Sequence, residues 1–248
     1  MNEFGFFLKR DMRMLVPVNI IIAIIFLIML MVATVIRYRV AQPFESLEIS
    51  IISLLLLLYI FFAAFFIIIE SVWREWRLGT QFEWYLAPGS ITTKLLAKVA
   101  ANYTWLLIQI LYSGLSLTLF THFAASNGIM EEILLNNSVI TEYPLQLLWI
   151  LIISPLTIIF MTLLPVYLFL GLKVSIKYPI LILYGLLTII VYPYVSIQLA
   201  QSATTPLNEQ TILPTFQMTS NEQILLDFGL LVALFFTTVY FLKKRVEL

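Results

Sequence analysis

Long apolar runs separated by short polar segments dominate the chain. A helix needs about 20 mostly apolar residues to cross the roughly 30 Å hydrocarbon core of a bilayer. Six runs meet this requirement, at about 15–36, 50–69, 96–121, 145–171, 179–199 and 223–242. Because backbone groups in lipid must satisfy their hydrogen bonds internally, each run is expected to be a helix. The pattern predicts an all-α integral membrane protein with six spans, formed by residues 1–248 as a single transmembrane domain.

The composition excludes several other classes of protein. Of the 248 residues, 61% are hydrophobic and only 11% are charged, which is too apolar for a soluble monomer or a disordered chain. Fourteen basic residues balance fourteen acidic ones, so charge gives no indication of nucleic-acid binding. The absence of cysteine excludes disulfides and thiolate metal sites. We expect no catalytic residue, bound cofactor or metal in this chain.

The basic residues also predict an orientation. If the six runs cross the membrane one after another, twelve of the fourteen basic residues lie on the same side as the N-terminus. The two exceptions are Arg37 and Arg39. The loops 122–144 and 200–222 on the other side contain no Lys or Arg. By the positive-inside rule, both termini are expected in the cytoplasm. The expected location of the protein is the plasma membrane. The sequence assigns no role to either outer loop.

The residues before the first run have the pattern of an amphipathic helix. Apolar Phe4, Phe7 and Leu8 recur at helical spacing, whereas the bases lie largely on the other face, as Lys9, Arg10 and Arg13. Such a helix is suited to lie in the membrane interface with its bases on lipid phosphates. The alternative is a charged flank that only sets topology.

The inner segment 70–95 is long for a connection and dense in aromatic residues. Pro88 and Gly89 are expected to stop a helix that continues from the second run, and Ser90 can cap the next helix. Aromatic residues with Arg are typical of protein contacts, although an aromatic belt at the interface has the same composition. The short inner link 172–177 carries Lys173 and Lys177, which are either topology markers or a second docking point.

A motif in this segment resembles the permease subunits of ABC-2 type ABC transporters. It reads Glu-x-x-x-Gly-Thr-x-x-x-Trp-Tyr-Leu-Ala-Pro-Gly-Ser-x-x-x-Lys-x-x-x-Lys and spans Glu75 to Lys98. The resemblance implies a cytoplasmic coupling helix between spans two and three that seats in a groove of an ATPase. Carried over by position, the coupling element includes Glu75, Arg77, Gly79, Glu83, Leu86, Pro88 and Ser90. Trp76, Thr80 and Trp84 complete the predicted docking surface.

The energy source and the partners follow from this resemblance. No Gly-x-x-x-x-Gly-Lys-Ser/Thr motif occurs in these residues, so ATP and Mg²⁺ would be bound by a separate ATPase subunit. A second permease copy or a related permease would complete the pathway in the lipid bilayer. The predicted function is export of an amphipathic or hydrophobic cargo, such as a peptide, a drug or a lipid-linked compound.

Two other functions stay open at this point. An ion-coupled secondary transporter needs an ionisable group at membrane depth, and Asp227 near the outer end of the sixth run is the candidate. It can also be read as an interfacial residue or an acid in the first turn of a helix. A non-transporting membrane scaffold is the other alternative. An intramembrane hydrolase built on His122, Glu131 and Glu132 is disfavoured, because one imidazole is a poor metal site.

Overall fold

The computed structural model describes residues 3–39, 45–80, 86–124, 149–172, 174–202 and 221–246. Within these ranges the chain is helical and contains no strand, which confirms the all-α prediction there. The helices are α1 Glu3–Arg39, α2 Glu45–Arg77, α3 Ile91–Ala124, α4 Ser154–Gly171, α5 Val174–Leu186, α6 Tyr192–Ser202 and α7 Asn221–Val246. Two π-helical segments, Trp149–Ile153 and Leu187–Val191, precede α4 and α6.

Five stretches in the described residues are long and apolar enough to cross a membrane. They are Glu3–Val32, Ile91–Ser116, Ser154–Gly171, Ile176–Ser196 and Asn221–Lys244, and they match five of the six predicted runs. The remaining run, 50–69, lies within α2, so it is helical. The protein is therefore a multi-pass helical membrane protein, and the sixth span stays a prediction. Residues 125–144 and 203–220 of the outer loops, with Glu131 and Glu132, lie outside the described residues.

The N-terminal amphipathic segment is not a separate helix. Residues 4–14 form the first turns of α1, which runs without a break from Glu3 to Arg39. Phe7 is 2% exposed, and Phe4 and Leu8 are half-buried, so this apolar face packs within the protein. Lys9 and Arg13 are exposed, as expected for bases facing lipid headgroups or water. The predicted short helix is therefore the start of a continuous helix whose first turns pack against its neighbours, and its place in the membrane interface stays a prediction.

The chain divides into two compact units, Met1–Val139 and Ile140–Leu248. In unit 1, α1, α2 and α3 all contact one another. Their shared core consists of the buried side chains Leu15, Ile22, Phe26, Tyr59, Ala63 and Ile67. Ala97 and Ala101 are fully buried on α3, where small side chains let helix backbones approach closely.

In unit 2, α4 packs against α7 and α5. Phe160 of α4 meets Phe235 of α7 edge to face, with ring centroids 5.7 Å apart. The Tyr184 hydroxyl on α5 donates a hydrogen bond of 2.7 Å to the Met161 carbonyl on α4. Aromatic packing and cross-helix hydrogen bonds of this kind hold helices together in lipid.

Prolines explain where the two π-helical segments of unit 2 occur. Pro155 comes two residues after the first segment, and Pro193 comes two residues after the second. A proline in a helix lacks a backbone N–H and clashes with the carbonyl four residues earlier, which here belongs to a π-helical turn. Widening that turn to i→i+5 bonding relieves the clash. The Tyr192 backbone N–H accordingly donates to the Leu187 carbonyl, five residues earlier.

Candidate functional site

Four charged side chains meet at the end of unit 1 where α2 and α3 are joined. This ion cluster consists of Arg10 and Asp11 on α1, Glu75 near the end of α2, and Lys98 on α3. Arg10 Nη2 lies 2.6 Å from Glu75 Oε1 and 2.7 Å from Asp11 Oδ1. Lys98 Nζ lies 2.9 Å from Glu75 Oε2 and 3.9 Å from Asp11 Oδ2. Glu75 therefore bridges two cations from two different helices.

The ion cluster is buried and balanced in charge. Asp11 and Glu75 are each 3% exposed and Lys98 is 1% exposed, while Arg10 is only partly covered. Two positive and two negative groups give no net charge, so each buried ion has an opposite partner. Removal of charges from water costs several kcal/mol per ion, and only close pairing offsets that cost. The cluster therefore depends on all three helices keeping their relative positions.

Neutral polar groups extend the ion cluster along α3. Lys98 Nζ donates a second bond of 3.0 Å to the Ser71 carbonyl on α2. Asn102, one turn further along α3, donates to Ser71 Oγ at 3.3 Å and to the Lys98 carbonyl at 2.9 Å. Further along the helix, Gln109 donates to Asn19 of α1 at 2.9 Å. One face of α3 thus carries a row of polar groups whose partners lie on α1 and α2.

The electrostatics of Glu75 reflect two opposing effects. Burial raises the pKa of the Glu75 carboxyl above its ordinary value, and the adjacent Lys98 ammonium is the main influence that opposes this shift. Arg10 also lowers this pKa, whereas the nearby Asp11 carboxylate raises it. The ionised form of Glu75 in this site therefore depends on the two cations that it bridges.

The helix α2 ends directly beyond Glu75, because Gly79 adopts a positive φ of 71°. The Gly79 N–H donates to the Trp76 carbonyl at 3.3 Å and the Thr80 N–H to the Glu75 carbonyl at 3.0 Å. This pair of bonds is a Schellman motif, which satisfies the last carbonyls of a helix. The helix α2 ends at Arg77, so the expected single helix from the second run up to Pro88 and Gly89 is not formed. Leu86 is again helical, however, and a bend at 87–89 follows it. The Glu-x-x-x-Gly part of the motif therefore contains an ion-pair residue, Glu75, and the glycine that ends the same helix, Gly79.

The next helix starts with the predicted cap. Ser90 Oγ accepts a hydrogen bond of 3.0 Å from the Thr93 N–H, which confirms Ser90 as the N-cap of α3. Lys94, 1% exposed, donates from Nζ to the Ala87 carbonyl at 2.6 Å. Gly89 has a φ of 115°, and a Cβ built there would lie 2.7 Å from Glu3 Oε2. The end of the bend is thus held against the start of both α3 and α1.

The predicted docking residues of unit 1 differ widely in exposure. Leu86 is 84% exposed, Pro88, Arg77 and Gly79 are also exposed, and Trp76 and Thr80 are half-buried. Glu75 is buried in the ion cluster, so its carboxylate is not available for direct contact with a partner. Glu83 and Trp84 lie outside the described residues. The docking role of this set stays a prediction.

Of the two lysines predicted in the other inner link, Lys173 lies outside the described residues. Lys177 is half-buried in unit 2, and its Nζ lies 3.9 Å from the ring centroid of Phe169. A second ring, that of Tyr178, is 5.7 Å away. These distances are typical of cation–π contacts, which give the ammonium a partner within its own unit.

Three members of the ion cluster were not predicted as partners of Glu75. Arg10 was expected to face lipid phosphates, Lys98 was one of two motif lysines, and Asp11 was given no role. A signal was present in the sequence, since Asp11 is an acid that directly follows two basic residues and Glu75 and Lys98 share one motif. Their pairing still depends on how three helices pack, which no local pattern specifies.

The described residues contain no group of three His, Cys, Asp or Glu side chains that could hold a metal ion. The described part of the site consists of ion pairs and helix caps, with exposed residues at 77–79 and 88–90. Comparison with family models, with curated proteins and with solved structures finds no match to the chain.

Proposed function

We propose that this chain is the membrane-spanning permease subunit of an ATP-driven ABC exporter of the ABC-2 type. The observation that supports this most directly is the bend between α2 and α3. Leu86 is 84% exposed and Leu78 is 59% exposed there. Exposed apolar side chains on a fixed bend are suited to burial by another protein. The proposed occupant is a cytoplasmic ATPase subunit.

The attachments of the bend support a mechanical role. The ion cluster joins the end of α2 to α1 and α3, and Lys94 of α3 holds the other end of the bend through its hydrogen bond to the Ala87 carbonyl. A force applied to the bend would therefore move the three helices together, as in rigid-body switching. ATP binding and hydrolysis on two partner subunits would supply that force. Two permease copies, or one copy with a related permease, would form the path for an amphipathic or hydrophobic cargo leaving the cytoplasm.

The first experiment purifies the tagged chain from its native membrane in mild detergent. We expect a polypeptide with a Gly-x-x-x-x-Gly-Lys-Ser/Thr motif to co-purify, and its ATPase activity to change when this chain is present. Replacing Leu86→Ser should reduce co-purification at least tenfold, since it removes the most exposed apolar contact. Glu83→Ala and Trp84→Ala are further test variants, and each should uncouple ATPase activity from export without loss of membrane insertion.

The matched control is Leu225→Ser on α7. Leu225 is 70% exposed, so the same chemical change is made at an exposed leucine of unit 2. This variant should retain the partner. An intact membrane complex without any P-loop protein would contradict the proposal. Transport that continues without such a partner and requires a proton gradient would favour an ion-coupled transporter instead.

A further inference from the structure

Unit 2 contains a buried carboxylate within the apolar stretch Asn221–Lys244, which is long enough to cross a membrane. Asp227 is 1% exposed and follows Asn221, the first residue of α7, by six residues. At 1.5 Å per residue, it lies roughly 9 Å along the helix from its start. Asp227 is therefore neither an exposed interfacial residue nor an acid of the first helical turn, which were the two simpler interpretations of this position.

Two aromatic side chains donate hydrogen bonds to this carboxylate. The Tyr192 hydroxyl donates to Asp227 Oδ1 at 2.7 Å, and the Trp149 indole N–H donates to Asp227 Oδ2. Trp149 opens the first π-helical segment, and Tyr192 directly follows the second. Both donors are thus placed by the two widened turns that precede Pro155 and Pro193. π-helical turns occur frequently at functional sites.

No opposite charge compensates Asp227 among the described residues. The elements packed against α7 cover 149–172 and 187–202, and these ranges contain no Asp, Glu, Lys, Arg or His. Their titratable groups are the tyrosines, Tyr167, Tyr192 and Tyr194. On α7 itself, Glu222 is exposed, and Lys243 lies sixteen residues away, or roughly 24 Å along the helix. An ion without a partner at such a depth is costly, and intramembrane carboxyl groups of this kind commonly exchange protons.

We propose that Asp227 is a proton-binding site of unit 2, with the proton carried on Oδ1 and shared with the Tyr192 hydroxyl. An indole N–H can only donate, so Oδ2 facing Trp149 must remain an acceptor. A phenolic hydroxyl can both donate and accept. In the ionised state the Tyr192 hydroxyl donates to Oδ1. In the protonated state Oδ1 gains an O–H bond and donates to Tyr192 Oη, whose own hydrogen rotates to another acceptor.

This inference goes beyond the proposed export function and does not require it. The competing explanation is that Asp227 serves only as a hydrogen-bonded link between helices, as polar groups in membranes often do. In that case the Asp227 carboxylate would stay ionised, with both hydrogen bonds in place, across the pH range in which the protein stays folded. The two explanations differ in a property of Asp227 itself, which can be measured on the purified chain without an ATPase partner or a cargo.

The sequence allows a direct measurement, because Asp11 and Asp227 are its only two aspartates. The full chain is labelled with ¹³C at the aspartate carboxyl, reconstituted in lipid nanodiscs and titrated by ¹³C NMR. Asp11→Asn and Asp227→Asn each remove one signal and so assign both. We expect the Asp227 signal to move reversibly between protonated and ionised positions as the pH is changed. Tyr192→Phe should shift the midpoint of that movement by at least tenfold in proton concentration.

The control is Glu222→Gln, an exposed acid on the same helix, which should leave the Asp227 midpoint unchanged. If Asp227→Asn does not fold, the Tyr192→Phe shift and the Asp11→Asn assignment still identify the Asp227 signal. An Asp227 signal that keeps the ionised position across the pH range in which the protein stays folded would overturn the proposal. A midpoint that is the same in the Tyr192→Phe variant would overturn the shared-proton geometry and with it the proposed site.

Discussion

Lys98 of α3 places its ammonium 2.9 Å from the carboxylate of Glu75 on α2, with only 1% of the lysine side chain exposed. The same carboxylate lies 2.6 Å from Arg10 of α1. Glu75 is thus the one residue of the ion cluster that contacts cations from both neighbouring helices. This geometry makes Glu75 the most informative position for testing how unit 1 is held together.

The variant Glu75→Gln should destabilise the protein by about 3–5 kcal/mol, because it leaves Lys98 and Arg10 without their shared counter-ion. The measurement is the free energy of unfolding in detergent with a chemical denaturant. Glu222→Gln makes the same chemical change at an exposed carboxylate and should alter the free energy by no more than about 0.5 kcal/mol. Equal effects of the two variants would show that the buried pairing is not stabilising.

Removing both partners of the bridge should cost less than removing either one. In the double variant Glu75→Leu with Lys98→Met, apolar side chains replace a buried pair, and such replacements are often neutral. Arg10 and Asp11 would remain as a balanced pair. A double-mutant cycle on the free energy of unfolding should therefore give a coupling of at least about 1 kcal/mol. Strictly additive losses would contradict a direct interaction between Glu75 and Lys98.

Gly79→Ala should destabilise the end of α2 by about 1–2 kcal/mol, because a Cβ is unfavourable at the positive φ of this position. Gly229→Ala is the matched control, since Gly229 lies within α7 and a Cβ there would meet nothing within 4 Å. That control should be neutral or slightly stabilising. Thermal unfolding in detergent compares the two, and similar behaviour would argue against the Schellman geometry at Gly79.

Ser90→Ala should cost about 1 kcal/mol, because it removes the side-chain acceptor for the Thr93 N–H at the start of α3. Thr237→Ala is a suitable comparison, since the Thr237 hydroxyl bonds only to the Ala233 carbonyl of its own helix. Its loss should be smaller than that of Ser90→Ala in the same unfolding assay. Faster hydrogen exchange at the first amides of α3 should accompany the loss of the cap.

Tyr59→Phe should destabilise unit 1 by about 1–3 kcal/mol, since the Tyr59 hydroxyl donates to Gln109 Oε1 at 2.5 Å within the buried core. Without that hydroxyl the amide oxygen of Gln109 loses a buried partner. Tyr240→Phe removes the same group from a residue that is 66% exposed and should have almost no effect. Comparable unfolding free energies for both variants would rule out a structural role for the Tyr59 contact.

The polar residues of the apolar runs illustrate how far sequence reasoning reaches. Polar side chains in membrane helices often bond between helices. Asn19 and Gln109 fulfil that role across α1 and α3. Thr157 instead bonds to the Ile153 carbonyl in the preceding turn, and Thr162 does the same to Ile158. The residue type sets only the capacity for a hydrogen bond, and the helix neighbours decide which partner it finds.

The sequence by itself determined that the protein is a helical membrane protein, because helix formation in lipid follows from the length of each apolar run. It also determined local features such as the Ser90 cap, since donor and acceptor lie within one turn. Only the tertiary structure decided that Glu75 pairs with Arg10, 65 positions away, and that Asp227 is buried against Trp149 and Tyr192. Such contacts depend on which faces of distant helices meet, and burial and charge pairing are fixed only when those helices pack.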